Sequence, residues 1–293
     1  MNVSGNIIKW IYSYLTNRPQ YVKFQNVVSD SIITNTGAPQ GCVLSPLLFT
    51  LYTNDCISTH NQCAIIKYAD DTVIIGNIVD GNESPYMQQV REFVEWCDQN
   101  YLNLNVKKTK EMVIDYRKDT DPFQPLVIRD QQVDVVNSYK YLGVVIDNKL
   151  SFCENVQYVY KKCIQRVHYL RILNNIRVDK QIMTLFYKSI IESVLCFGIT
   201  SWYGSSRKKD TKKLYKIIRI ANKVGVDTSN LLELYNKACL KSVKKIMNDG
   251  NHPLHDKYIV LRSGRRLSIP AHRTSRYGNS FVISSIKLFN HLC

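Results

Sequence analysis

After Phe152 the sequence sets one pattern on three successive helices. Apolar residues fall at helical spacing on one side, and lysine or arginine fall on the other, with hardly an acid to neutralise them. In "NVQYVYKKCIQRVHYLRIL" the stripe is Val156, Val159, Tyr160, Cys163, Val167 and Leu170, with Lys162 and Arg166 opposite. In "TKKLYKIIRIANKV" Leu214, Ile217, Ile218 and Ala221 face inward, while Lys212, Lys216, Arg219 and Lys223 line the other side. A third helix carries Lys237, Lys241 and Lys244. Such helices must bury their stripes against one another, so the second half is expected to be a helical assembly with its positive charge outside.

The charge follows the same division. Residues 1–150 hold 13 Lys and Arg against 16 Asp and Glu, a net of −3, and residues 151–293 hold 26 against 8, a net of +18. This asymmetry points to a polyanionic partner, nucleic acid first, with a merely solvated basic surface as the alternative. At 293 residues the chain is long enough for a sizeable core and for two domains. Nine cysteines with no C-x-x-C argue against a disulfide framework and against the usual zinc spacings, and Cys163 and Cys239 read as small core residues. His252 and His255 in "HPLH" read as loop residues. The start "MNVSGNIIKWIYSYL" lacks the basic segment and cleavage site of a secretory signal. "IMTLFYKSIIESVLCFGIT" contains Lys188 and Glu192 and reads as a buried helix, not a membrane span. An intracellular protein, nuclear or cytoplasmic and not secreted, is the expectation.

The first half mixes periods. A helix is expected over residues 6–15, a strand at "YVKFQ" (21–25), and a Gly/Pro-rich loop running into an apolar helix at "TGAPQGCVLSPLLFTLYTNDC" (36–56). "SPYMQQVREFVEWCDQNYLNLN" is an amphipathic helix with Met87, Val90, Phe93, Val94 and Cys97 on one face. "KEMVIDYRK" and "YKYLGVVID" read as strands flanking a loop around Pro122 and Pro125. Between them in importance stands "IIKYADDTVIIG" (65–76), two β-type runs joined by a tight link that holds Asp70 and Asp71. These residues alone allow an ordinary solvated hairpin tip or a divalent metal site, because paired carboxylates are hard oxygen ligands.

"GAPQGCVLSPLLF" (37–49), "YADD" (68–71), "LNLNVKKTK" (102–110) and "YLGVVI" (141–146) together resemble the reverse transcriptases of non-LTR (LINE-type) retrotransposons, in the order of that family. The resemblance is sharp from about residue 18 to 150 and softer to the C-terminus. It implies an α+β fold: a partial right-hand polymerase palm over 1–152, a basic helical thumb over 153–248 and a C-terminal tail over 249–293. It implies two Mg²⁺ ions, with Mn²⁺ possible, about 3.5–4 Å apart at the reacting phosphate. Asp70 would be the principal ligand and Asp71 a weaker one. Gly37, Pro39, Gln40, Gly41 and Tyr68 would bind template and nucleotide. Lys108, with Lys110 behind it, would donate a proton to pyrophosphate or offset its charge. Tyr141, Leu142 and Gly143 would grip the primer. Lys162, Arg166, Lys212, Lys216, Arg219 and Lys223 would track backbone phosphates. The implied partners are an RNA template and DNA primer, or an RNA–DNA hybrid, and no membrane.

One departure is large. The family's metal site uses another Asp before "GAPQG", in a box like D-x-x-x-A-F, and the only acidic residue before Gly37 is Asp30, which does not match it. The expectation is therefore a chain that starts after that strand and lacks the fingers, inactive alone unless a longer form or partner supplies the carboxylate. The alternatives are a non-catalytic nucleic-acid-binding module and a product with no stable fold.

Overall fold

The structure, a computed structural model, describes residues 4–117 and 123–292. Pro122, expected in a loop between strands, lies outside the described residues. Helices and small two-stranded sheets alternate, which makes the protein α+β. The chain divides into two compact units, Met1–Val106 with Leu126–Gln131, and Lys107–Pro125 with Gln132–Cys293.

The first unit opens with the Gly5–Leu15 helix, followed by an antiparallel ribbon. Arg18–Gln20 pairs with Ile32–Thr34, and Lys23–Phe24 pairs with Val27–Val28. The register slips by one residue between these two ladders, the mark of a bulge. The strand expected over 21–25 thus ends in a turn, where Gln25 takes a φ of 52°. Next come the Leu44–Tyr52 helix, the hairpin Cys63–Tyr68/Asp71–Gly76 and the Ser84–Gln99 helix. Alternation gives the hairpin two faces. Cys63, Ile65 and Lys67 share one, on which the Cys63 thiol meets the Pro85 carbonyl at 3.6 Å. On the same face the Lys67 ammonium donates to the carbonyls of Thr53 and Cys56, the latter at 2.8 Å. On the other face Ile66, Tyr68 and Ile75 remain 48, 64 and 49% exposed. The Gly5–Leu15 helix buries no side chain either.

The second unit holds most of the core. The Cys153–Asn175 helix buries Val156, Val159, Cys163, Val167 and Leu170, and the Lys208–Lys223 helix lays Leu214, Ile217, Ile218 and Ala221 against it. Tyr160, expected in the first stripe, is only half-buried. Burial pushes the Cys163 thiol up to about 12, which makes it an inert packing group. The tail folds back on the Leu231–Met247 helix. Val243, Ile246, Tyr258, Leu267 and Ile286 form a small second core, and Asn290 bonds both to the amide and to the carbonyl of Leu267.

The Lys180–Trp202 segment is long and apolar enough to cross a membrane by length and composition alone. Here it is half core and half surface, not the wholly buried helix expected. Met183, Tyr187, Ile191, Leu195 and Ile199 are buried, whereas Ile182, Leu185 and Phe197 are 57, 68 and 55% exposed. The buried residues recur at every fourth position. In an α-helix four residues turn about 400°, so such a stripe drifts roughly 40° per step and winds off the core. A wider turn cancels the drift, and Tyr187–Glu192 is π-helical. The spacing of the sequence thus contained the π segment.

"KEMVIDYRK" forms a ladder only at Lys110–Glu111, parallel to Asp134–Val135. Beyond Glu111 side chains, and not a partner strand, hold the extended chain: the Arg276 guanidinium lies 3.8 Å from the Tyr116 ring, and Lys149 Nζ reaches the Asp115 carbonyl at 3.3 Å. "YKYLGVVID" does form the expected β structure, as the hairpin Ser138–Tyr141/Val144–Asp147. Leu142 and Gly143 both take positive φ, 45° and 87°, the two-residue type I′ turn that matches strand twist. The Phe197 ring packs against Gly143, and Val144 and Ile146 enter the helical core. Buried Asp147 ends the hairpin. Its carboxylate accepts from the backbone N–H groups of Lys149, Ser151 and Phe152 at 3.0, 3.0 and 2.7 Å and from the Ser151 hydroxyl at 3.1 Å. It thereby holds a loop in which Leu150 and Phe152 are left-handed, just before the long helix starts.

Asp147→Ala strands these donors and is expected to cost about 2–3 kcal/mol in urea unfolding, with Asp147→Asn recovering part of the loss. Glu192 gives a pH-dependent counterpart. Burial raises its pKa from 4.5 against a smaller opposing pull from Lys188, and one carboxylate oxygen is buried without a hydrogen-bond partner. A folded pKa above the unfolded one means that the ionised form penalises folding, so stability falls as pH rises through the gap. Glu192→Gln is expected to raise the melting temperature at pH 7 and to lose that advantage below pH 4.5, read from melting curves across pH.

Candidate functional site

In the first unit the acidic pair occupies the tip of its hairpin. Tyr68 pairs with Asp71, leaving Ala69 and Asp70 as the two turn residues. Ala69 has a φ of 52°, a left-handed conformation that costs an L-residue about 1 kcal/mol. The turn presents Asp70 and Asp71 to solvent, with Tyr68 on the same face as Asp71. Rigidity comes from behind, where Lys67 ties the hairpin to the carbonyl end of the Leu44–Tyr52 helix. Among the described residues no group of three or more His, Cys, Asp or Glu side chains could hold a metal ion. Asp70 and Asp71 alone therefore do not fit a complete two-ion centre.

The glycine-rich loop needs its glycines for a different reason from the one expected. Gly37 and Gly41 have φ of 68° and 77°, and no atom lies within 4 Å of a Cβ placed on either, so the backbone conformation and not a close approach demands glycine. Sequence reasoning missed the residues that hold this loop. The Arg18 guanidinium donates to the carbonyls of Thr36 and Gly37 at 2.7 and 2.8 Å, and the Ser45 hydroxyl donates to the Pro39 carbonyl at 2.5 Å, with Tyr14 bonded to Ser45. The sequence gave no clue to Arg18 beyond its place before Pro19 at the start of a strand. Gln40 is exposed beside them.

The remaining candidates lie in the second unit. Lys108 is exposed, whereas Lys110 is ion-paired with Asp134 across the parallel ladder. Tyr141, Leu142 and Gly143 form the end and turn of their hairpin, as described. On the helices Lys212, Lys216, Arg219 and Lys223 are all exposed along one face, and Lys237, Lys241 and Lys244 along another. Arg207–Asp210, at 3.8 Å, is the only ion pair among the described residues from 153 to 292, so the positive surface is largely uncompensated. Arg166 differs: its guanidinium bonds to the Ile190 carbonyl and braces the π segment. Lys162 lies over the Tyr158 ring. His252 and His255 bond to local backbone, to Leu254 and Ile246, which leaves them as turn residues.

The family model for reverse transcriptase (RNA-dependent DNA polymerase) matches residues 1–146, through the acidic hairpin and into the Val144–Asp147 strand. Residues 1–146 form a reverse transcriptase domain. It is of the non-LTR retrotransposon kind. The chain is 27% identical over 216 residues to the probable RNA-directed DNA polymerase from transposon BS of Drosophila melanogaster, covering 69% of this chain and 23% of that protein. It is 26% identical to the RNA-directed DNA polymerase from mobile element jockey of the same species, covering 70% and 23%. It is 23% identical to the Pol polyprotein from the type-1 retrotransposable element R1 of Nasonia vitripennis, covering 71% and 67%. The chain thus spans less than a quarter of the transposon BS and jockey proteins. A second family model, the N-terminal part of alkylated DNA repair protein alkB homolog 8, matches residues 154–193. No solved structure matches the chain.

Glycine tolerates the left-handed turn position, so Ala69→Gly is expected to stabilise the hairpin by about 1 kcal/mol, whereas Ala69→Val destabilises it. Slower amide exchange at Thr72 and Lys67 in the glycine variant, and faster exchange in the valine variant, is the expected readout.

Proposed function

We propose that the chain binds an RNA template with a DNA primer, or the hybrid they form, as palm (1–152), basic thumb (153–248) and tail (249–293) of a reverse transcriptase, and that it does not extend the primer by itself. The observation that carries this reading is the exposed Tyr68–Asp71 turn, within a domain matched as reverse transcriptase, with no third carboxylate beside it among the described residues. Reverse transcriptases depend on divalent metal in general. Mg²⁺, with Mn²⁺ as substitute, is the ion assigned here, and Asp70 and Asp71 are its protein ligands. Lys108 faces the leaving pyrophosphate, Gly37, Pro39, Gln40, Gly41 and Tyr68 position the templating pair, and Tyr141, Leu142 and Gly143 hold the primer end. With two carboxylates the negative charge that would hold both ions is incomplete, and most of the electrostatic stabilisation of transfer is missing. The reading includes an intracellular location, nuclear or cytoplasmic.

A non-catalytic nucleic-acid-binding module is the second reading. It draws on the same incomplete metal site and on the exposed lysines at 212, 216, 223, 237, 241 and 244. Primer extension on poly(A)–oligo(dT) with Mg²⁺ or Mn²⁺, beside Asp70→Ala, separates the two. No incorporation by a folded, hybrid-binding chain is the expected result. Incorporation abolished by Asp70→Ala would mean that another group completes the centre and that the chain is a polymerase as it stands. In both cases hybrid affinity should fall steeply with salt. Replacing Lys212, Lys216, Arg219 and Lys223 by Gln is expected to reduce the slope of log affinity against log salt by about 3, since each phosphate contact contributes roughly 0.9.

A further inference from the structure

Tyr158 stands between two ammonium groups. Lys140 Nζ, from the Ser138–Tyr141 strand, lies 4.8 Å from the centre of its ring, and Lys162 Nζ, one turn further along the long helix, lies 4.6 Å from it. Each ring–cation contact is favourable alone, but two like charges gathered on one ring repel each other. Acidic neighbours would ordinarily offset that repulsion. Among the described residues neither lysine has a carboxylate within ion-pair distance. Packing does not require the arrangement either, because Lys140 is exposed and Tyr158 and Lys162 are only half-buried.

The chemistry of the cluster is one-sided. Each ammonium carries three N–H donors, and the phenol adds an O–H. Hydrogen bonds from Lys140 and then from Lys162 to the phenol oxygen lower the Tyr158 pKa, so both ammonium groups converge on the hydroxyl end of the ring. Donors that remain after these bonds point at a common place with no acceptor to receive them. A tetrahedral anion with several acceptor oxygens is their complement. The position in the fold matters too. Lys140 sits two residues before the Leu142–Gly143 turn, and Tyr158 and Lys162 lie in the first half of the Cys153–Asn175 helix, so the cluster bridges hairpin and helix within one unit.

We propose that Lys140, Tyr158 and Lys162 form a clamp for a single backbone phosphate of a nucleic-acid strand crossing from the hairpin turn to the helices. The proposal rests on the nucleic-acid reading above and adds Lys140 and Tyr158 to it. The two ammonium groups receive two phosphate oxygens, the phenol donates to one of them, and the phosphate charge removes the lysine–lysine repulsion. The clamp carries no sequence information, as expected of a phosphate contact.

The test is the affinity of the full chain for a fluorescently labelled RNA–DNA hybrid, measured by anisotropy at 0.1 M salt, with circular dichroism confirming that every variant is folded. Lys140→Gln and Lys162→Gln are each expected to weaken binding about 5-fold, and the double variant no more than about 10-fold, because both side chains hold one phosphate. Lys140→Gln with Lys237→Gln, on a separate helix, should instead show multiplied losses. Tyr158→Phe is expected to lose about 2-fold. Unchanged affinity in the single variants, or a Lys140/Lys162 double loss equal to the product of the singles, would overturn the clamp while leaving nucleic-acid binding intact. If the unaltered chain binds no hybrid, the nucleic-acid reading falls. Inorganic phosphate titrated against the Tyr158 ring resonances then decides the site: a shift absent from the double variant retains an anion clamp, and no shift eliminates it.

Discussion

Every element of the second unit is placed by one constraint, the burial of an every-fourth-residue stripe against the Cys153–Asn175 helix. Tyr187, Ile191 and Leu195 have no exposed surface, and neither do Val156, Cys163 and Leu170 on the helix they meet. Each large apolar side chain removed from water contributes roughly 1.5–3 kcal/mol, so a dozen of them dominate whatever the surface charges do. That surplus lets the outside of the helices carry many uncompensated lysines and arginines, whose mutual repulsion would unfold a weaker core. It also fixes the Ser138–Asp147 hairpin, which leans on the core through Val144 and Ile146 and is stapled at its turn by Phe197.

The first unit is built on the opposite terms. Its buried apolar side chains among residues 4–106 are Cys56, Cys63, Val90 and Cys97, while Ile7, Ile8, Trp10, Phe24, Val27, Ile32 and Ile66 are about half exposed or more. Hydrogen bonds take a larger share of the work here. Arg18 and Ser45 hold the glycine loop, and Lys67 anchors the hairpin. Gln89, almost wholly buried, accepts from Ser58 at 2.7 Å and from the Thr59 amide at 3.0 Å. Polar bonds position groups well but add only about 1 kcal/mol each. The acidic tip is thus held in place locally, on a scaffold with little apolar burial of its own.

Much of this was legible in the residues. The hairpin around Asp70 and Asp71 followed from two apolar runs that left room only for a tight link, and the buried stripes of the basic helices followed from their spacing, with Tyr160 the partial exception. The Leu142–Gly143 turn lay within a run expected as one strand, because a type I′ turn is announced by only one glycine. Length alone could not tell that "KEMVIDYRK" would find a partner at just two residues, since pairing depends on what distant chain offers. The same holds for Arg18 and Lys67, whose acceptors are backbone carbonyls far along the sequence. The π segment was encoded in plain sight, but a period of four is read by habit as ordinary helix. Lys110 and Arg166 show the converse limit: a basic residue in the expected place can be bound to its own protein, to Asp134 and to the Ile190 carbonyl.

The π segment also determines how this chain can change over evolutionary time. Point substitutions that keep an apolar residue at 183, 187, 191, 195 and 199 leave the stripe intact. Loss of a single residue between 187 and 192 would let an ordinary α-helix close up, and everything downstream would rotate by about 100° about the axis. Leu195, Ile199 and Trp202 would swing away from the core together, and Phe197 would leave the hairpin turn. Length drift in this stretch is therefore far less tolerable than change of identity, a constraint on spacing that counting apolar residues would not reveal.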